Sequence, residues 1–120
     1  MITVDDMLAR IPGPPNLTLP QGARSAVAYA DAHIELRLFH PGDPDRQQPH
    51  ERAESYVVVA GRGECVIEHA ASRGTERLPC TPHDVLFVPA QVPHGVDNFT
   101  PDFTGWVDFH GPSHFAKGTQ

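Results

Sequence analysis

Prolines are scattered along almost the whole chain, and they set the first limit on its fold. Thirteen occur in 120 residues, and only residues 21–40 and 50–78 are long stretches without one. Gly61, Gly63 and Gly74 interrupt the second stretch. Proline lacks a backbone donor and breaks helix interiors, so a helical bundle is excluded. The hydrophobic pattern is too regular for a disordered chain. At this length the chain makes one domain, with a core that needs no staples.

Charge narrows the partners. Nine basic against 15 acidic residues give a net charge of −6. Nucleic acid and anionic membrane surfaces both want a basic face, so neither is expected as a partner. No apolar run exceeds five residues, which rules out a transmembrane helix. The start, MITVDDMLAR, carries acids where a secretory signal carries positive charge, so the expected location is the cytoplasm. Cys65 and Cys80 lack CxxC spacing and are expected to be reduced thiols. Cys65 lies in an apolar strand and Cys80 in a turn-like PCTP, and neither has a base partner that would make a nucleophile.

Along the chain, Val4, Met7, Leu8 and Ile11 share one helical face, with Thr3 as N-cap, Asp6 three residues on, and Pro12 as the stop. Residues 1–22 therefore read as a short helix and an extended connector. Residues 23–112 read as strands, and 113–120 as a tail. Strands are expected at 24–30, 33–40, 54–60, 64–70, 74–78, 84–88, 94–99 and 103–109. The Gly61-Arg62-Gly63 turn marks a hairpin between the third and fourth. Eight short strands with close turn signals predict an antiparallel sandwich or barrel.

Eight histidines are many for this length. His33, His69, His83 and His114 fall near turns or strand ends and read as surface residues. His50 lies four residues before Glu54 at the mouth of an apolar strand. On extended backbone the two face the same way, as does Gln48. His94 opens a later strand just after Pro93. A barrel that brought His94 to the first cluster would assemble two imidazoles and a carboxylate, the set used for divalent metals with open positions. The plainer reading makes His50 and Glu54 a solvated pair and His94 a strand cap.

The same residues carry a resemblance. Residues 42–61, GDPDRQQPHERAESYVVVAG, are similar to the first cupin motif, G-x5-H-x-H-x3-E-x6-G. Gly42, His50, Glu54 and Gly61 fit its spacing, and Gln48 stands where the first histidine is usual. Residues 83–98, HDVLFVPAQVPHGVDN, resemble the second motif, G-x5-P-x-G-x2-H-x3-N. Pro89, His94 and Asn98 match, while His83 and Gln91 replace its glycines. The closing run Trp106 to Pro112 resembles that of small single-domain bacterial cupins. The resemblance implies an all-β fold: a single antiparallel, jelly-roll-like cupin barrel with a short N-terminal helix. It implies a divalent metal, Fe2+, Mn2+, Ni2+ or Zn2+, held by His50, Glu54 and His94, with Gln48 in the doubtful fourth place.

Parity supplies further candidates. Tyr56 shares Glu54's face and is the candidate catalytic acid or base. Trp106, Asp108 and His110 share one face of the last strand. Ile34, Leu36 and Leu38 share one face of the second, and Glu35, Arg37 and Phe39 the other. An inward Arg37 would imply an anionic substrate, because a guanidinium grips a carboxylate with two bonds. The functional expectation is a metal-dependent enzyme of oxygenase, lyase or isomerase type acting on a small polar or anionic organic molecule. The alternative is a non-catalytic module that binds a small ligand with weak or absent metal. A homodimer is expected in either case.

Overall fold

The computed structural model describes residues 1–15, 17, 22–42, 51–69 and 74–111. A short helix, α1 (Val4–Leu8), is followed by eight strands: β1 (Ser25–Ala30), β2 (Ile34–Phe39), β3 (Ala53–Ala60), β4 (Gly63–Glu68), β5 (Thr75–Cys80), β6 (Val85–Val88), β7 (His94–Asp97) and β8 (Thr104–His110). Every expected element forms, with strand ends displaced by up to two residues, while the helix ends at Leu8, three residues short of Ile11. Thr3 and Asp6 make the reciprocal capping box of α1, the Thr3 hydroxyl accepting from the Asp6 N–H at 3.1 Å.

All strand pairs are antiparallel. One sheet has the order β1-β2-β8-β3-β6 and the other β5-β4-β7. No ladder joins them among the described residues, so the expected barrel is two facing sheets rather than a closed cylinder. The Gly61 turn carries the chain from the first sheet to the second, and residues 89–93 carry it there again from β6 to β7.

Register decides which face looks inward, because residues directly opposite each other share a face. Phe39, Gly105 and Val58 form one row across β2, β8 and β3. Arg37, Val107 and Tyr56 form the next, and Glu35, Phe109 and Glu54 the one after. Phe39, Tyr56, Val58 and Val107 are buried in the main core with Cys65 and Val96 of the other sheet. These three rows therefore line the interior. The opposite face carries Leu36 and Leu38, Trp106 and Asp108, Ser55 and Val57. Helix α1 packs against β2. Met7 and Leu38, both fully buried, lie outside the main core.

The cysteines depart from expectation. Cys65 and Cys80 are disulfide-bonded, with Cα atoms 6.4 Å apart, inside the range a bridge requires. Cys65 lies opposite Leu78 and Cys80 opposite Gly63, so the pair is a diagonal on the inward face of the β4–β5 hairpin. Spacing along the chain does not reveal such a diagonal, whereas the hairpin register creates it.

Candidate functional site

β3 alternates strictly: Glu54, Tyr56 and Val58 are buried, while Val57 is exposed. β7 alternates from its first residue, burying His94 and Val96. The two strands belong to different sheets, and their buried faces meet. Glu54 is 1 % exposed, Tyr56 5 % and His94 8 %. The His94 Nε2 lies 3.1 Å from Glu54 Oε2 and 3.1 Å from the Tyr56 hydroxyl. The Tyr56 and His94 rings meet edge to face at 5.8 Å, and Phe39 packs edge-on against Tyr56 from behind.

The His94 Nδ1 lies 2.9 Å from the Val92 carbonyl oxygen. That oxygen only accepts, so Nδ1 carries a hydrogen and Nε2 is the atom turned to Glu54. Nε2 so oriented faces both the Glu54 carboxylate and the Tyr56 hydroxyl, and an imidazole nitrogen beside a carboxylate oxygen is a donor set that divalent ions accept. A backbone carbonyl that fixes the far nitrogen is the usual way a ligating histidine is oriented. The two described members of the expected metal set thus fit a divalent ion. His50 and Gln48 lie outside the described residues. Among the described residues no three His, Cys, Asp or Glu side chains cluster as a metal site.

The other candidates divide between the two faces. Tyr56 points inward beside His94. Asp108 and His110 are on the outer face, where Ser55 Oγ lies 3.3 Å from His110 Nε2 and Phe87 stacks on the His110 ring. Glu35 and Arg37 are on the inner face, two strands from Glu54 and Tyr56. Their strand shows its more apolar side, Ile34, Leu36 and Leu38, to the outside. On the other sheet Glu76 lies opposite Ile67, which lies opposite His94, so Glu76 also belongs to the inward face. It accepts from or pairs with His69 Nε2 at 2.8 Å. Neither Glu76 nor this role for His69 was apparent from the sequence, although the parity of Glu76 with Leu78 and Cys80 would have placed it. A separate cleft of about 540 Å³ is lined by Pro41, Asn98, Phe99 and Pro101 at the other end of β7. Among the described residues it offers no titratable side chain and so no comparable chemistry.

The positive-φ residues explain the departures from the second motif. His83 has φ 81° and Gln91 has φ 67°, the left-handed region that glycine enters without cost. The motif's glycines answer a backbone demand that this chain meets with larger residues.

No protein-family model matches the chain, and no curated protein matches it. Solved structures do. A conserved protein with a double-stranded β-helix domain from Klebsiella pneumoniae superposes with a TM-score of 0.66 at 18 % identity, covering 93 % of this chain and 90 % of that one. An RmlC-like cupin from Methanocaldococcus jannaschii gives 0.58 at 13 % identity, covering 73 % and 81 %. This is the cupin fold. Oxalate decarboxylase of Bacillus subtilis, which has Mn(II) centres, also superposes on this cupin fold with a TM-score of 0.58 at 14 % identity, covering 69 % of this chain and 22 % of its own. At these identities the likeness concerns architecture, and within the cupin architecture Glu54, Tyr56 and His94 face the interior between the sheets.

Proposed function

We propose that this cupin is a metal-dependent enzyme, of oxygenase, lyase or isomerase type, acting on a small polar or anionic organic molecule. The observation that carries the reading is the confrontation of Glu54 Oε2 and His94 Nε2 at 3.1 Å in a buried setting. His50, Glu54 and His94 would hold the ion, Fe2+, Mn2+, Ni2+ or Zn2+, with Gln48 able to lend an amide oxygen. When bound, such an ion polarises a substrate oxygen or activates water near neutral pH. The chain's own residues supply the rest. The Val92 carbonyl fixes the His94 ring. Phe39 and Val107 pack beside Tyr56 and bury it. Tyr56 holds a proton on its hydroxyl oxygen, beside Nε2, where a ligand displacing that contact would receive it.

The test is elemental analysis of untagged protein prepared without chelator, for wild type, His94→Ala and His50→Ala. Near-stoichiometric metal in wild type, lost in both variants with the sheets still folded, supports the reading. Unchanged metal content in His94→Ala refutes the ligand assignment. Gln48, in place of a stronger imidazole ligand, favours the second reading, a small-ligand-binding cupin with weak or absent metal. Wild type that takes up no metal on incubation decides for it. Under both readings the protein is a homodimer. Val85 and Phe87, 66 % and 53 % exposed on the edge strand β6, support the dimer, and a monomer mass at micromolar concentration counts against it.

A further inference from the structure

Arg37 is the one arginine of the β-strands that faces the interior. Its row continues through Val107 to Tyr56, two strands and about 9.5 Å of backbone away. The Arg37 Nε donates to Glu35 Oε2, and Nη1 donates to Ser25 Oγ at 2.9 Å. A guanidinium has five N–H donors. These two bonds leave three with no protein acceptor among the described residues. Only one oxygen of Glu35 is engaged, so the ion pair stops short of the two-bond geometry that carboxylates prefer with arginine. Both side chains are about one-third exposed, 32 % for Arg37 and 29 % for Glu35, and so open to solvent.

We propose that Arg37 anchors a short organic carboxylate between the sheets, and that Glu35 holds the carboxylate's place when no ligand is bound. The ligand's carboxylate displaces Glu35 and takes two guanidinium donors. Its far end carries a second polar group to the Tyr56 hydroxyl, which can donate to it. The separation of the two polar centres selects a small bifunctional acid, since a longer molecule would overrun the gap between two strands. Glu35 makes the anchor selective: a neutral ligand cannot outbid a carboxylate already in place. This assignment rests on the reading of the inward face around Glu54, Tyr56 and His94 as a ligand site, but not on the presence of metal.

The experiment is calorimetric titration of the full chain with malonate, succinate and glutarate, and with their neutral dimethyl esters. Metal content is measured on the same samples. At least one diacid should bind wild type while its ester does not. Arg37→Gln should weaken that binding at least tenfold, and Arg37→Lys should weaken it less. Glu35→Gln should tighten it several-fold, a change opposite in sign to any loss of folding. Undiminished binding in Arg37→Gln, equal binding of the ester, or no binding of any diacid to wild type overturns the proposal. Metal-free protein whose diacid binding still depends on Arg37 sinks only the metal reading. Metal-loaded protein indifferent to Arg37→Gln sinks only this one.

Discussion

Replacing His83 and Gln91 with glycine should make the protein more stable, although both replacements delete side-chain atoms. Their φ angles of 81° and 67° put a Cβ against the following carbonyl. For an L-residue that conformation costs about 1–2 kcal/mol. Glycine escapes the strain but loses about 0.5–1 kcal/mol through its freer unfolded chain. The net gain is about 0.5–1 kcal/mol at each site, and about 1–2 kcal/mol for both, because the turns are separate. Little is lost in exchange. Both side chains are exposed, and neither makes a hydrogen bond or ion pair among the described residues. The bond that matters at His83 runs from its backbone N–H to the Val58 carbonyl at 2.7 Å, and glycine keeps it. For a domain of this size, 1 kcal/mol moves Tm by roughly 4 °C, so the double variant should melt about 4–8 °C higher. Thermal unfolding followed by far-UV circular dichroism reads this directly. Asn98, with φ 49°, is the control. Its side-chain nitrogen donates to Glu64 Oε1 at 2.7 Å, so Asn98→Gly gains conformational ease and loses a bond. It should stabilise less than the other two or destabilise. If His83→Gly and Gln91→Gly both melt at or below wild type, left-handed strain is not what the motif's glycines relieve.

Three further outcomes follow from other sites. Gly61→Ala should destabilise by about 2–5 kcal/mol in urea unfolding, since φ is 77° and an added Cβ would lie 2.6 Å from both Phe103 Cα and Thr100 Oγ1. A loss within error of zero refutes that packing. Reducing the Cys65–Cys80 bond, which closes a separation of 15 residues, should lower stability by about 3 kcal/mol, and thiol titration of the unreduced unfolded protein should find no free thiol. Two titratable thiols before reduction refute the bond. At the β1–β2 turn the Asp31 carboxylate accepts from the His33 N–H, the Tyr29 hydroxyl and the Ile34 N–H, which hold it below the ordinary carboxylate value of 3.8. A depressed folded value contributes stability that is full above the unfolded value and is lost as pH falls through the folded one. Asp31→Ala should therefore be less stable than wild type at pH 6, with the gap closing below pH 3.8 in the urea midpoint. A gap that widens on acidification contradicts the sign.

The strands were legible because a period of two is a local property. Tyr56 could be paired with Glu54, and both with the interior, from β3 alone, since its buried positions alternate cleanly. β2 shows where that logic stops. Its more apolar face, Ile34, Leu36 and Leu38, would be turned inward by hydrophobicity alone. The structure turns it outward, with Leu38 buried outside the main core on the strand that α1 packs against, and sends Glu35 and Arg37 in beside Phe39. Parity separates two faces but does not say which one the opposite sheet will cover. That answer is held in the rows Phe39–Gly105–Val58 and Arg37–Val107–Tyr56, which join residues far apart in the chain. The Glu54–His94 approach has the same character. Forty residues separate the pair, and the spacing of each motif hints at their meeting only through likeness to other proteins.

The two sheets share no ladder among the described residues, and Glu54 and His94 stand on opposite sides of that seam. Sliding or parting of the sheets alters their separation before it breaks a single strand pairing. A metal ion held by both, as proposed above, would act as a rivet through the sandwich. Its affinity would enter directly into cohesion, adding about 2.7 kcal/mol when the ion is present at a hundredfold excess over its Kd. Binding and folding are then one measurement seen from two directions. A change that loosens the seam far from the cavity, at Val96 or Val58, should surface first as weaker ion retention and only later as a lower melting temperature.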